Sequence, residues 1–174
     1  MKHAVLFPGI GYHCDKPLFY YTKKILKTEG YQIHEIYFQN LDFDLEKSKE
    51  NAYVQAKEQF DKIDFQTCDT LLFISKSIGT YCAAKLAKEY HLISNIYFTP
   101  LNFTLEFLNP EDLVYSGTQD QWANYTYIEK YCKKNQIPLH SVQNGNHSLE
   151  AGDIQTDLTN LKKIKKQVEE YIHN

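Results

Sequence analysis

The chain contains no arginine; all 19 of its basic residues are lysine. Without a guanidinium fork it cannot clamp a phosphate or carboxylate in bidentate fashion, so such groups would have to be held by backbone amides or lysine. That excludes a phosphoryl-transfer enzyme built on an arginine finger. Cysteine is scarce as well: Cys14, Cys68, Cys82 and Cys132 lie far apart and form no C-x-x-C pair. Such spacing fits neither a zinc site nor a disulfide framework, and the expectation is reduced thiols in a cytoplasmic protein. No run approaches the roughly 20 apolar residues of a membrane span. The stretch Ala4 to Phe7, behind Met-Lys-His, is too short for a signal peptide. A net charge of −3 and an isoelectric point near 6.2 leave no positive excess for nucleic acid or an anionic membrane surface. There is no internal repeat, low-complexity tract or linker.

What remains is a chain of 174 residues, 43% apolar and 14% aromatic, which is enough for one domain (1–174) with a filled core. Short runs rich in β-branched and aromatic residues alternate with longer segments of helical period. The runs are His3–Phe7, Gln32–Phe38, Thr70–Ile74, Ser94–Phe98, Leu113–Tyr115 and Ile137–Val142. Between them, Pro17–Glu29 with Gly30 as a stop predicts the first helix. Tyr53, Ala56, Phe60 and Ile63 mark a second, and Ile78, Cys82, Leu86 and Tyr90 a third. Trp122, Tyr125, Ile128 and Cys132 mark a fourth, and Leu158, Leu161, Ile164, Val168 and Ile172 the last. The period of that last helix puts Lys162, Lys163, Lys165 and Lys166 on its solvated face rather than in a nucleic-acid patch. Strand followed by helix, repeated, predicts parallel β-α-β units: a doubly wound α/β domain with helices on both faces of one open sheet. Ligands of such sheets bind beyond the carboxyl ends of the strands.

Three strand ends carry chemistry. After the third run comes Ser75-Lys76-Ser77-Ile78-Gly79-Thr80, leading into a helix. A serine on so sharp a turn is thrust out of the sheet, and crowding demands small residues two positions to either side. Ser75 and Gly79 meet that demand, and the Ile78 amide would face an incoming carbonyl oxygen. Alone, S-x-S-x-G is also an ordinary helix start. Lys76 reads as a solvated neighbour. After the fifth run, Asp120 in Ser116-Gly117-Thr118-Gln119-Asp120 precedes a helix and could simply cap it. After the sixth, His147 stands in Asn144-Gly145-Asn146-His147-Ser148, while His140 within the run reads as packing. Together they place a serine, an acid and a histidine at three carboxyl ends in the order Ser, Asp, His, the order of α/β-hydrolases. Serine needs a base within reach, and the base needs a carboxylate to hold its tautomer. Glu150 is the other acid near the histidine.

With F-P-G-I-G-Y at 7–12, S-K-S-I-G-T at 75–80, S-G-T-Q-D at 116–120 and G-N-H-S at 145–148, nearly the whole chain resembles the small lidless serine hydrolases of the α/β-hydrolase superfamily, close to dienelactone-hydrolase-like members. Ser75 departs from the family's first elbow glycine. The amino-terminal antiparallel strands and any cap insertion are also missing, which would leave the site open. The resemblance implies a minimal α/β-hydrolase fold without cap, with six parallel strands in the order 2-1-3-4-5-6. It implies Ser77 as nucleophile, Asp120 as orienting acid and His147 as general base. The oxyanion donors would be the amide of Ile78 and one from Gly9-Ile10-Gly11, assigned to Ile10. An uncharged ester or thioester of modest size is the expected substrate. The 99–111 connection is expected to pack as core, with Phe103 and Leu105 the residues to face the serine should it not; Tyr12 could also reach the site. No metal or organic cofactor is expected.

Two rivals are weaker. The Gly9-Ile10-Gly11 turn begins a dinucleotide fingerprint, but Cys14 occupies the third glycine position and Pro17 delays the helix. A binding or regulatory module that keeps the fold without turnover is the alternative reading. His13 with Cys14 lacks convergent metal partners.

Overall fold

A computed structural model describes residues 1–90 and 93–173. The elements run β1 (Lys2–Phe7), α1 (Pro17–Thr28), β2 (Tyr31–Glu35), α2 (Leu45–Phe60), β3 (Thr70–Lys76), α3 (Ile78–Glu89), β4 (Ile93–Phe98), a 3-10 helix (Asn102–Phe107), β5 (Leu113–Gly117), α4 (Tyr125–Lys134), β6 (Leu139–Val142) and α5 (Ile154–His173). The six strands form one sheet in the order β2-β1-β3-β4-β5-β6, and every neighbouring pair is parallel. Both faces are covered, as a parallel sheet requires. Because side chains alternate along a strand, Val5, Phe7, Phe73 and Val114 enter a core shared with α2, α3 and α4. Ala4, Leu6, Leu72 and Ile74 enter the opposite one, shared with α1 and α5.

Local chemistry sets the ends. Pro17 supplies the preset φ at the start of α1, and Gly30, at φ 77°, takes the left-handed position that ends it. The Asp44 carboxylate accepts the Lys47 amide at the head of α2. Differences from the sequence reading include two boundaries and the facing of one lysine. The second run leaves the sheet after Glu35, because the side-chain amides of Gln59 and Gln55 in α2 pair with the backbone of Tyr37 and Gln39 in place of a strand. The fourth helix starts at Tyr125 rather than at Trp122, since the Asn124 side chain caps it by accepting the Tyr127 amide. In α5, Lys165 does not share the solvated face of Lys162, Lys163 and Lys166. It turns inward to donate to the Leu18 carbonyl at 2.8 Å and to Thr22 Oγ1, with its ammonium 5.3 Å from the centre of the Phe98 ring.

Candidate functional site

β3 and α3 are joined by one residue, Ser77, held at φ 54° and ψ −125°. That conformation is strained for a side chain with a Cβ, and the surrounding structure over-determines it. The Ser77 amide donates to the Phe98 carbonyl at 3.2 Å and its carbonyl accepts the Thr80 amide at 2.9 Å. The Thr80 hydroxyl also donates to the Ser77 carbonyl, at 2.6 Å, and pairs with the Thr104 hydroxyl. The helix can come so close only because residue 79 is glycine: a Cβ there would stand 2.2 Å from the Phe7 carbonyl oxygen. Ser75 is fully buried and fits where the family resemblance would put glycine. Ile78 heads α3, where the first amides have no acceptor within the helix.

The loop after β1 reaches the same spot. Gly9 and Tyr12 pair through their amides and carbonyls at 3.3 Å, so the turn's own bonds use neither the Ile10 nor the Gly11 amide. A Cβ on Gly9 would meet the Cβ of Ser77 at 3.0 Å. Ile10 and Ser77 thus lie in the wall of one cleft of about 190 Å³, together with Gly11, Tyr12, Phe43, Leu45, Lys76, Trp122, His147 and Ser148.

The loops after β5 and β6 bring the acid to the histidine. The Gln119 amide donates to the Gly145 carbonyl, and the Asn144 amide to Thr118 Oγ1. Gly117 permits this lacing, since a Cβ there would sit 2.2 Å from the Gly145 carbonyl oxygen. The result is a 2.7 Å bond from His147 Nδ1 to Asp120 Oδ2. The Asp120 carboxylate is wholly shielded from solvent, and its other oxygen accepts the Trp122 and Ala123 amides. It therefore orients the histidine rather than capping α4. Glu150 is exposed and does not take its place. With Nδ1 donating to Asp120, Nε2 carries the lone pair, and it is buried without a hydrogen-bond partner. His147 and Ser77 thus both line the cleft, and Nε2 is not bonded to Ser77 Oγ; hydrogen bonds of this kind often tighten only when substrate binds. Burial pushes the His147 imidazole below its ordinary range, with the Lys76 charge adding to the effect and Asp120 opposing it.

Other expectations need correction. Lys76 is not solvated: it is 1% exposed, its ammonium lies 4.6 Å from the centre of the Tyr12 ring and bonds Thr99 Oγ1 at 3.3 Å. Burial brings its pKa down to about 7, with Asp120 and Glu150 opposing. Leu105 is a core residue and Phe103 packs edge-on against Tyr81, so neither lines the cleft and the 99–111 connection is core, held by the hydroxyls of Thr104 and Thr80. Tyr12 does line it, with its hydroxyl accepting the Leu18 amide. Phe43, Leu45 and Trp122 were missed. Two of them are strongly exposed aromatics on loops at strand carboxyl ends, and that position was a usable signal. His140 packs on Tyr115 and bonds Gln167, as a structural residue does. Among the described residues, no three metal-ligating side chains converge, and no helix is long and apolar enough to cross a membrane.

No protein-family model matches the chain, and no curated protein matches it in sequence. Solved structures do match in shape. A lidless α/β serine hydrolase from Xanthomonas campestris superimposes with a TM-score of 0.68 at 13% identity, over 98% of this chain and 80% of that one. Est1E from Butyrivibrio proteoclasticus, with ferulic acid bound, gives 0.67 at 15% identity over 100% and 90%. An esterase from Pyrococcus furiosus gives 0.66 at 13% over 99% and 82%. The shared property is the fold: this chain has the α/β-hydrolase fold without a lid.

Proposed function

We propose that the chain is a serine hydrolase acting on a small uncharged ester or thioester through Ser77, His147 and Asp120. The observation that carries this reading is a strained serine at a strand-to-helix turn that lines one cleft with a histidine whose Nδ1 is fixed by a buried carboxylate and whose Nε2 is left unpaired. Nothing in ordinary packing calls for either arrangement, since strain and an orphaned buried nitrogen both cost stability.

In this mechanism His147 Nε2 takes the proton of Ser77 as Oγ attacks the acyl carbon, and Asp120 steadies the imidazolium. The amides of Ile78 and Ile10 receive the negative charge on the carbonyl oxygen, helped by the amino terminus of α3. His147 then gives its proton to the leaving oxygen, and water activated by the same nitrogen releases the acid. An uncharged substrate suits a cleft walled by Ile10, Phe43, Leu45 and Trp122 in a chain without arginine. The bound ferulic acid of one structural neighbour and the esterase activity in the name of another favour esters.

Only the neutral imidazole acts as a base, and burial holds its pKa below the ordinary value of roughly 6.5. Hydrolysis of p-nitrophenyl acetate should therefore rise with pH on the acid side of 6.5 and be level from there to pH 8. Ser77→Ala should reduce it by about a thousandfold or more. Equal rates for the two proteins would reject Ser77 as nucleophile and leave the binding-module reading.

A further inference from the structure

The helices α1 and α5 run side by side in the same direction: Lys165, past the middle of α5, bonds Leu18 and Thr22 near the start of α1, and His173 pairs with Glu29 at their end. Since α1 begins at Pro17 and α5 at Ile154, and His173 stands level with Glu29, about the first two turns of α5 extend beyond the start of α1, by roughly 11 Å at 1.5 Å per residue. They point toward the carboxyl edge of the sheet, where the candidate site lies. The apolar stripe does not stop where α1 stops covering it. Leu161 and Ile164 continue at helical spacing to Leu158 and Ile154, which are 56% and 74% exposed. Together with Tyr12, Pro17, Leu18 and Leu149 they wall a mostly apolar groove of about 190 Å³. Tyr12 and Ser148 belong to this groove and to the Ser77 cleft alike, so the two lie side by side.

We propose that this groove binds the hydrocarbon chain on the alcohol side of the substrate ester, an inference that rests on the triad reading above. The side follows from the chemistry. His147 must protonate the leaving oxygen, so the alcohol leaves past His147, and the groove opens at Ser148, the next residue. The charge of the occupant follows from the rim: the groove has no lysine, and its charged residues are Glu150 and Asp157. Asp157 is partly engaged, accepting the Ala151 amide at 2.5 Å, whereas Glu150 is exposed. A carboxylate-bearing alcohol would meet like charge, and an uncharged alkyl chain would meet leucine and isoleucine. The volume matches roughly six waters, a space that a butyl to hexyl chain would empty.

The test is the specificity constant for n-alkyl acetates from ethyl to hexyl, followed by pH-stat. This constant reports acylation, the step in which the alcohol leaves, so a chain effect on that side is not hidden by deacylation. Each methylene fully withdrawn from water is worth about fourfold, and partial burial of four should give a hexyl-to-ethyl ratio of tenfold or more. Leu158→Asp, at a position exposed enough not to disturb folding, should bring the ratio close to one. Thr159→Asp, which puts the same charge on an exposed position of the same helix, should leave the ratio as it was. A flat series in the unmodified protein, or a rise that survives Leu158→Asp, overturns the groove while leaving the triad standing. No turnover of any ester, together with no reaction of Ser77 with a fluorophosphonate, overturns the triad reading and the groove with it.

Discussion

In the proposed reaction Asp120 and Lys76 both bear on His147, and they act on its charge with opposite sign. Asp120 fixes the tautomer through its 2.7 Å bond to Nδ1 and stabilises the charged ring. Asp120→Asn keeps the shape but offers an amide, which favours the wrong tautomer, so turnover should fall by about 10³ to 10⁴ while the far-ultraviolet circular dichroism stays the same. Full activity in that variant would assign the orienting role elsewhere. Lys76 is charged below about pH 7 and so opposes protonation of His147 in the range where the imidazole titrates. Removing that charge with Lys76→Met should let the imidazole hold its proton to higher pH. The acid limb of kcat/KM should then move to higher pH. A purely structural role would lower kcat without moving the limb. The serine, acid and histidine were legible in the sequence because chain order and strand ends are linear properties. The burial of Lys76 was not, because it depends on Tyr12 and Thr99, which reach it from two other strand-end loops.

At the scale of elements, the site is made by close approaches of backbone that only glycine permits. Gly79 lets α3 rest on the end of β1, and Gly117 lets the loop after β5 touch the one carrying His147. Gly117→Ala drives a methyl group into the Gly145 carbonyl, a contact that cannot be relieved by turning a side chain. It should cost about 1–3 kcal/mol in urea unfolding and, on the proposed mechanism, should lower turnover beyond what lost stability explains, because the loop that moves bears His147. Unchanged kcat in a folded Gly117→Ala protein would show that the His147 loop tolerates displacement. Most elements could be read from periodicity, since Pro17, Gly30 and the alternating strands each signal locally. The boundaries that failed were settled by partners distant in sequence. Gln55 and Gln59 take over the backbone of the chain after β2, and Lys165 finds its acceptors almost 150 residues away on α1.

For the whole molecule, the parallel sheet decides where everything else can go. With β3 and β4 central and both faces covered by helices, the carboxyl edge is the place where loops from β1, β2, β3, β5 and β6 meet. The order 2-1-3-4-5-6 was implied by a resemblance carried in four short motifs, and the structure bears it out although no family model matches the sequence. What no motif conveyed was the offset between α1 and α5, which depends on how two elements far apart in the chain are registered against each other. That offset shapes the groove, whereas the strand ends shape the reacting centre.

The central claim is that Ser77 is an activated nucleophile. Its most direct test is to treat the folded protein with a fluorophosphonate, beside Ser77→Ala, and to locate any adduct by peptide mass spectrometry. The account predicts one phosphonyl group per chain, on Ser77, formed faster as the pH rises through the His147 titration and absent from the variant. An unmodified Ser77 in folded protein, or equal labelling of the variant at another residue, would contradict it.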